Sequence, residues 1–253
     1  MVAEASGAPA AAPDLPTPPW RRSVRRPTPQ KRPITRDLIL DVSLRVLDEE
    51  GFDALSMRRI AEELDTGPAT LYGHFANKDD LLEQALDRVM GEIEVPAPDA
   101  GHWQDQVKQV ARASYRALIS HRDLARASLG RIRTGPNALR VSEALLAIMV
   151  TGGVPVRLAA GAVNRIFLYV NADAYEGSLC AVQLRSFGEK AVAGFLGQVR
   201  EYYATLPAEK FPYTSRSAAE LVAGSCEERF EVGLALLVDG LAARVNEDAA
   251  RHA

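Results

Sequence analysis

The side chains with the clearest chemistry lie close together in the first third of the chain, and their chemistry suits contacts with DNA. Thr70 offers a hydroxyl and a methyl group, which suit a phosphate or the methyl group of thymine. Tyr72 and His74 can reach phosphates or base edges, and Lys78 suits a phosphate. Arg58 is the best candidate for a guanine contact, because an arginine can donate two hydrogen bonds to that base.

Local signals place these residues on two short helices joined by a turn. Ser56, which we also count among the predicted DNA-binding residues, is a good N-cap for a helix that runs to Leu64. Pro68 suits the first position of the next helix, since its missing N–H would be unpaired there anyway. We predict that this second short helix continues over 69–75.

Two longer helices flank the short pair. Before it, apolar residues at helical spacing predict a helix that Gly51 ends. After it, Asn77 and Asp80 resemble a capping box that opens a helix over 78–92. Helix, short helix, turn, short helix and helix is the order of a helix-turn-helix domain that binds DNA.

The rest of the chain is also helical in pattern, and no stretch alternates with period two for long enough to predict a sheet. We therefore predict an all-α fold, with an N-terminal helix-turn-helix domain over 34–95 and a larger helical domain over 96–253. Residues 1–33 form a Pro/Ala-rich arm. The later helices are predicted over 103–120, 122–129, 137–151, 155–186, 188–205 and 226–246, with a loop around 206–215.

Composition excludes several classes of protein. Of the 253 residues, 47% are hydrophobic and 25% are charged, which is ordinary for a globular protein and excludes collagen-like and wholly disordered chains. None of the four histidines has a second histidine or a cysteine at the spacing of metal ligands. Motifs of hydrolases, nucleotide-binding enzymes and metalloproteases are also missing from the sequence. We therefore expect a protein that is not an enzyme.

The compartment follows from the same sequence. The N-terminus lacks the apolar core of a secretory signal, and no apolar run approaches a membrane span, so we expect a cytoplasmic protein. Two cysteines, Cys180 and Cys226, form no CxxC pair, which favours a reducing setting. Neither has an adjacent Lys, Arg or His to lower its pKa, so inert thiols are expected, with a redox switch as the alternative.

Several stretches resemble a known family. The runs L-S-M-R-R-I-A-E-E-L from Leu55 and T-L-Y-G-H-F-A-N-K-D-D-L-L from Thr70 are similar to the DNA-binding domain of TetR transcriptional regulators. Weaker likenesses at Trp103, at Gly135 to Arg140 and from Glu228 resemble the ligand-binding and dimerisation domain of the tetracycline-repressor-like branch. The resemblance implies a repressor that binds a palindromic DNA operator as a homodimer and is released by a small-molecule effector.

Two alternatives to this function stay open. One is an architectural DNA-binding protein without a ligand, although the helical domain of about 150 residues does not fit it. The other is a regulator that is controlled by a protein partner.

Within the motif, Asp65 replaces the usual glycine of the turn, and aspartate tolerates a left-handed conformation better than most residues.

A row of residues on the last predicted helix is the candidate dimer interface. Its small members permit close approach of two helices across a two-fold axis. Packing within one chain would use the same row, and it is the family resemblance that favours dimerisation. The row consists of Phe230, Gly233, Leu237, Gly240 and Leu241.

A second row, on the helix predicted over 155–186, combines amides and aromatic rings at helical spacing. Such a mixture suits a ligand pocket, in which a few polar groups fix the orientation of the ligand. Core packing with satisfied amides is the alternative. The candidate effector residues are Asn164, Phe167, Asn171 and Tyr175, together with Trp103 and Tyr115 from the helix predicted over 103–120.

The effector should differ from tetracycline. Val110 and Ser128 stand where the resemblance would place the asparagine and histidine that bind drug and metal. Asp173 or Glu176 supplies a carboxylate nearby, but one carboxylate without its histidine partner is weak evidence for a metal. We expect an apolar or aromatic effector, no magnesium requirement and no cofactor.

Charge is distributed unevenly along the chain, whose overall net charge is −3. Residues 1–33 hold six basic and two acidic side chains, whereas residues 34–95 hold six basic and fifteen acidic ones. Since carboxylates beside phosphates are repelled, DNA binding needs cations from elsewhere. We expect the arm to supply them, with Arg25 and Arg26 at the DNA; the alternative is a solvated tail without a DNA role.

Deleting residues 1–33 should weaken DNA binding and flatten its dependence on salt, because each lost phosphate contact removes about one unit from the slope of log K against log salt. Titrations of labelled duplex at several salt concentrations measure that slope for the full chain and the truncated chain. An unchanged slope would show that the arm does not contact DNA.

Overall fold

The chain is described here by a computed structural model that covers residues 33–252, with side chains as far as residue 245. Over that range every regular element is helical and no strand occurs, so the predicted all-α class is confirmed. Arg25 and Arg26 lie outside the described residues. None of the helices in the described part is long and apolar enough to cross a membrane.

The helices are α1 (Arg36–Glu50), α2 (Met57–Glu63), α3 (Pro68–Tyr72), α4 (Lys78–Gly91), α5 (Trp103–Ile119), α6 (Leu124–Ser128), α7 (Pro136–Thr151), α8 (Val156–Phe187), α9 (Glu189–Ala204), α10 (Pro212–Arg216), α11 (Ala218–Leu221) and α12 (Cys226–His252).

Side-chain caps fix where α2 and α4 begin. The Ser56 hydroxyl accepts a hydrogen bond from the backbone N–H of Arg59 at 3.1 Å, which confirms the predicted N-cap. Asn77 accepts from the N–H of Asp80 at 2.9 Å, and the Asp80 carboxylate accepts from the N–H of Ala76 at 2.7 Å. The two bonds make the reciprocal arrangement that the sequence predicted, displaced by one residue from an ideal capping box.

The turn between α2 and α3 depends on one left-handed residue. Asp65 has φ +48°, as expected for an aspartate that replaces glycine at this position. The N–H of Thr66 then bonds back to the carbonyl of Ala61 at 2.9 Å, and Pro68 begins α3 as predicted. This tight turn sets the angle between the two short helices.

The first four helices share one apolar core. Leu71 and Phe75 are buried in it, so these apolar side chains of the helix-turn-helix pack inside the domain, whereas Leu64 is half-buried. Each fully buried side chain here contributes roughly 1.5–3 kcal/mol relative to an exposed one. The side chains at the centre of this core, each no more than 1% exposed, are Ile39, Leu47, Ile60, Leu71, Phe75 and Leu81.

Helix α4 joins this unit to the larger bundle formed by α5, α7, α8 and α12. Its Asp87 accepts hydrogen bonds from the backbone N–H of Ala138 at 2.9 Å and from Asn137 Nδ2 at 3.1 Å, at the start of α7. Arg140 of α7 donates to the carbonyl of Ile93, just beyond α4, at 2.9 Å. A movement of α4 along α7 would therefore break several polar contacts at once.

The segment after α8 differs most from the prediction. Two short helices, α10 and α11, occupy the end of the predicted loop and the residues beyond it. Helix α9 was predicted correctly, yet it buries none of its side chains within this chain. Its Phe195 and Tyr202 are exposed, as are Phe187 before it and Tyr213 after it.

Candidate functional site

Helix α3 presents two of the predicted DNA-binding residues to solvent. Leu71 is fully buried, so the residues on either side of it, Thr70 and Tyr72, are held on the outer surface. Tyr72 is 56% exposed, which is unusual for a large aromatic side chain in a small domain. The hydroxyls of Thr70 and Thr66 are 3.0 Å apart, which orients Thr70. We call Thr70 and Tyr72 the α3 surface.

Arg58 lies in the first turn of α2 and is also exposed. Its guanidinium pairs with Glu62 one turn later at 3.0 Å, and both side chains are largely in solvent. Such a pair contributes little, so DNA can compete for the guanidinium. Arg59 is different, because Glu50 and Glu63 hold it from two sides at 2.5 and 2.8 Å.

The other predicted DNA-binding residues have structural contacts of their own. The Ser56 hydroxyl is engaged as the N-cap of α2. His74 is half-buried at the end of α3. Lys78 donates to the carbonyl of Phe52 at 3.3 Å, and burial lowers its pKa. The structure brings Thr70, Tyr72 and His74 together on one short segment, but turns Lys78 toward Phe52.

Phe52 lies between the helix-turn-helix helices and α6. Lys78 Nζ is 4.5 Å from the centroid of its ring, and the guanidinium carbon of Arg126 is 4.9 Å from the same centroid. Arg126 also pairs with Asp53 at 3.1 Å. The backbone N–H of Phe52 donates to the carboxylate of Asp123 at 3.1 Å. Phe52 thus lies against two cations, and its backbone donates one hydrogen bond to Asp123 and accepts one from Lys78.

The end of α1 makes a second set of contacts with the α5–α6 turn. Asp48 accepts hydrogen bonds from Nδ1 of His121 at 3.0 Å and from the backbone N–H of Arg122 at 2.8 Å. Arg122 also donates to the carbonyl of Glu49 at 3.2 Å. The bond to Asp48 raises the pKa of His121, which burial opposes only in part. We call the contacts of Phe52 and Asp48 the junction.

The predicted effector residues divide by burial. Trp103, Tyr115 and Phe167 are buried, Asn171 and Tyr175 are half-buried, and Asn164 is exposed.

The buried and half-buried residues of α8 face α6 and the loop after it. The guanidinium of Arg133 lies 4.1 Å from the centroid of the Phe167 ring, and burial lowers the pKa of Arg133. Among residues 33–245 no carboxylate forms an ion pair with Arg133. The hydrogen bond to Asp53 raises the pKa of Arg126, and Tyr175, two turns along α8 from Phe167, adds to that increase. We call Arg126, Arg133, Phe167 and Tyr175 the α6–α8 face.

A groove on the other side of α8 combines Asp173 and Glu176, which the sequence offered only as a carboxylate for a metal, with Tyr169 and Arg229, which the analysis of the sequence missed. It has a volume of about 760 Å³ and lies between α8, α11 and the start of α12. Tyr169, Asp173 and Glu176 line it from α8, and Arg229 lines it from α12. Burial raises the pKa of Asp173. The spacing of Tyr169, Asp173 and Glu176 on one helical face was the available signal.

Two residues of the predicted dimer row are used inside the chain. Phe230 is 1% exposed and stacks against Tyr115 and Tyr169, with ring centroids 4.1 and 5.6 Å apart. A Cβ at Gly233 would collide with the hydroxyl of Tyr169, so this glycine is needed for packing within the chain. Intramolecular packing, the alternative weighed from the sequence, is what the structure shows for Phe230 and Gly233.

Of the remaining residues of the row, Leu237 and Gly240 lie on an open surface and Leu241 is buried. Leu237 is 37% exposed, and a Cβ at Gly240 would meet nothing within 4 Å. With Leu241 and with Gly161 of α8 they line a groove of about 340 Å³. A second helix pair could approach closely there, because two glycines keep the backbones accessible.

The two positions that replace the drug and metal ligands hold no side chain that could bind a metal ion. Val110 and Ser128 are both buried, and the Ser128 hydroxyl donates to the carbonyl of Ala125 at 2.7 Å. Within the described part of the chain, no group of three or more His, Cys, Asp or Glu side chains is arranged to hold a metal ion.

Comparison with known families gives two matches. Residues 39–85 match the family described as "Bacterial regulatory proteins, tetR family". Residues 95–245 match "Tetracyclin repressor-like, C-terminal domain". The resemblance noted in the sequence is confirmed by both.

Individual relatives agree with the families. An HTH-type transcriptional regulator of Saccharopolyspora erythraea is 32% identical over 223 residues, covering 86% of this chain and 90% of the relative. The HTH-type transcriptional repressor DrrR1 of Streptomyces coeruleorubidus is 29% identical, covering 86% and 81%. The crystal structure of Streptomyces coelicolor ActR in complex with actinorhodin has 40% identity and a TM-score of 0.76, covering 83% of this chain and 96% of that one.

The junction should make stability depend on pH through His121. Its raised pKa in the folded chain means that the ionised pair with Asp48 stabilises fully below the unfolded value of about 6.5. That stabilisation is lost as the pH rises through the folded pKa. Urea unfolding at pH 6.0 and 8.5 should show that His121→Gln loses more stability at pH 6.0, by up to about 1 kcal/mol.

His102→Gln is the matched control, since His102 pairs with Asp99 on the surface, away from the junction. A loss for His121→Gln that is equal at the two pH values would contradict the assignment.

Proposed function

Because the chain belongs to the TetR family of bacterial regulatory proteins, we propose that it is a repressor that binds a palindromic DNA operator as a homodimer and is released by a small-molecule effector. It is a transcriptional regulator and not an enzyme, like the regulators of its family. Two observations support the finer proposal. One relative is named a repressor, and ActR was solved in complex with actinorhodin.

The α3 surface is the observation that carries the DNA-binding part of the proposal. Helix α3 has five residues and is anchored in the core by the fully buried Leu71. The turn at Asp65 fixes the direction of α3 relative to α2. Short recognition helices of this kind enter the major groove of DNA with their first residues toward the bases. Thr70 and Tyr72 are then the direct contacts, and Arg58 reaches the same groove from α2.

Effector binding is proposed at the α6–α8 face. Phe167 offers an aromatic wall, Asn171 an amide at the next turn, and Arg133 a cation without a carboxylate partner among residues 33–245. Aromatic walls with a few polar groups are typical of small-molecule sites. This combination favours an aromatic effector that carries a negatively charged or strongly polar group, and it needs no magnesium.

Arg126 connects the proposed effector site with the helix-turn-helix helices. It lies near Tyr175 on the α6–α8 face, and it also pairs with Asp53 and stacks on Phe52 at the junction. An effector that moves α6 would therefore change the contacts that hold the helix-turn-helix helices. Release follows if the effector binds the displaced arrangement more tightly, since equal affinity for both arrangements shifts nothing.

Dimerisation is proposed through the open part of the row on α12. Leu237, Gly240 and Leu241, facing Gly161 of α8, leave a groove that a second copy can fill. The exposed aromatic side chains of α9 and its flanks add apolar surface that one chain leaves uncovered. A two-fold axis is the common symmetry for such a pair, and it spaces the two α3 helices for a palindrome.

Selection of bound duplexes from a random pool tests the DNA proposal. We expect a palindromic consensus with half-sites about one helical turn apart. On that consensus, Tyr72→Ala should weaken binding about tenfold or more, since a lost base or phosphate contact costs about 1–3 kcal/mol. Tyr213→Ala is the control, because Tyr213 is also an exposed tyrosine but lies on α10.

Bound DNA without a consensus would favour the architectural alternative. Unchanged affinity of Tyr72→Ala would refute the role of the α3 surface.

The dimer proposal is tested by Leu237→Arg, which should convert the dimer to a monomer in sedimentation equilibrium at micromolar concentration. An arginine placed in an apolar contact has no partner there, and its desolvation weakens association. Leu139→Arg is the control, since Leu139 is also an exposed leucine but lies on α7. A Leu237→Arg protein that remains a dimer would place the interface elsewhere, with the α9 surface as the next candidate.

A further inference from the structure

The helix-turn-helix domain has few cations with which to hold DNA. Residues 34–95 contain six basic and fifteen acidic side chains, and the structure describes all of them. Lys78 is half-buried and turned toward Phe52. Arg36 is exposed, and among residues 33–245 no carboxylate forms an ion pair with it. The other four form ion pairs with carboxylates of the same domain at 2.5–3.1 Å: Arg45, Arg58, Arg59 and Arg88.

Arg36 is the first residue of α1, and two contacts hold its side chain. Its Nε donates to Oε1 of Gln84 on α4 at 2.6 Å, and its guanidinium carbon lies 4.9 Å from the centroid of the Phe75 ring. That ring is 1% exposed, so it offers the guanidinium a fixed surface. The Nη groups of Arg36 donate to no acceptor among residues 33–245. A guanidinium whose orientation is held thus keeps most of its N–H donors for an acceptor outside the chain.

Gln84 is itself held by the start of α4. Its Nε2 donates to Oδ1 of Asp80 at 2.6 Å, and Oδ2 of Asp80 accepts from the backbone N–H of Ala76 at 2.7 Å. With its amide nitrogen bound to Asp80, Gln84 directs its amide oxygen to Arg36. A row of three hydrogen bonds therefore links the first turn of α1 to the segment that leaves α3.

These contacts place the guanidinium of Arg36 beside the end of α3. The N–H of Phe75 bonds to the carbonyl of Leu71 in α3 at 2.9 Å, so Phe75 continues directly from the helix that carries the α3 surface. The major groove of DNA is about 12 Å wide, and a sugar–phosphate backbone runs along each of its edges. A cation next to the end of a helix in that groove is therefore within reach of a phosphate.

The neighbouring Asp37 is directed to another cation. Adjacent residues of a helix point in different directions, and Arg88 of α4 lies on the side of Asp37. Arg88 Nη1 donates to the carbonyl of Asp37 at 3.3 Å and is 4.0 Å from its carboxylate, and Arg88 Nη2 is 2.6 Å from Asp41. The two acids at the start of α1 thus share Arg88 and leave Arg36 unpaired.

We propose that Arg36 contacts a phosphate of the DNA backbone and is held ready for it by Gln84 and Phe75. An arginine can donate two parallel, charge-assisted hydrogen bonds to a phosphate. Because such a contact does not depend on the base sequence, Arg36 adds affinity and fixes the position of the domain on the duplex. The inference rests on the proposed entry of α3 into the major groove, and it names a cation of this acidic domain that serves the contact.

Arg36→Met in the full-length protein tests the proposal with two labelled duplexes, the selected palindrome and a random sequence of equal length. We expect binding to weaken about fivefold on both duplexes, and the slope of log K against log salt to fall by about one unit. A purely structural role of Arg36 would not change that slope.

Arg45→Met is the matched control, because it removes the same charge from α1 but takes it from an arginine that Glu63 already holds. Its salt slope should stay that of the wild type. Gln84→Met tests how Arg36 is held. It keeps the charge, so the slope should persist, while affinity falls about threefold because the freed side chain must be ordered on binding.

Thermal melting of each variant checks that it is folded. If the wild type binds the palindrome but Arg36→Met leaves both affinity and slope unchanged, the inference is wrong and the proposed function stands. A loss confined to the palindrome, with the slope retained, would show that Arg36 positions α3 without contacting a phosphate, and would also overturn the inference. A wild-type protein that binds neither duplex would refute the proposed function and the inference with it.

Discussion

The connection between the DNA-binding helices and the rest of the chain depends on Phe52. Its ring receives Lys78 from α4 and Arg126 from α6, and its backbone N–H is bound by Asp123. Cation–π contacts of this kind contribute about 0.5–2 kcal/mol each, depending on how far they are desolvated. Contacts of this strength can hold the helix-turn-helix helices in one position relative to α6. They are also weak enough for the binding energy of a ligand to favour another position, as a ligand-controlled regulator requires.

The order and type of nearly all the helices could be predicted, because their signals are local. Ser56 and Asn77 cap the helices that the sequence assigned to them, and Asp65 adopts the left-handed conformation expected in the turn. Helices α10 and α11 were missed since each is only one turn long and begins without a side-chain cap. Their position depends on neighbours and not on their own residues.

The candidate sites were harder to predict, because helical spacing shows which residues share a face but not what covers that face. Phe230, Gly233 and Leu237 follow one another on α12, yet Tyr115 and Tyr169 cover the first two and leave the third exposed. The covering side chains come from α5 and α8, far away in sequence. Arg133 was missed for the same reason, since its place over Phe167 is a tertiary contact.

Helix α9 has a consequence for how the molecule assembles. It has sixteen residues and buries none of its side chains in a single chain. A helix of that length is marginal in water without tertiary packing. If the proposed dimer covers this helix, folding of the segment is coupled to association. Dilution would then act on the helix as a mild denaturant, and the cellular concentration of the protein would be one of the variables that set its shape.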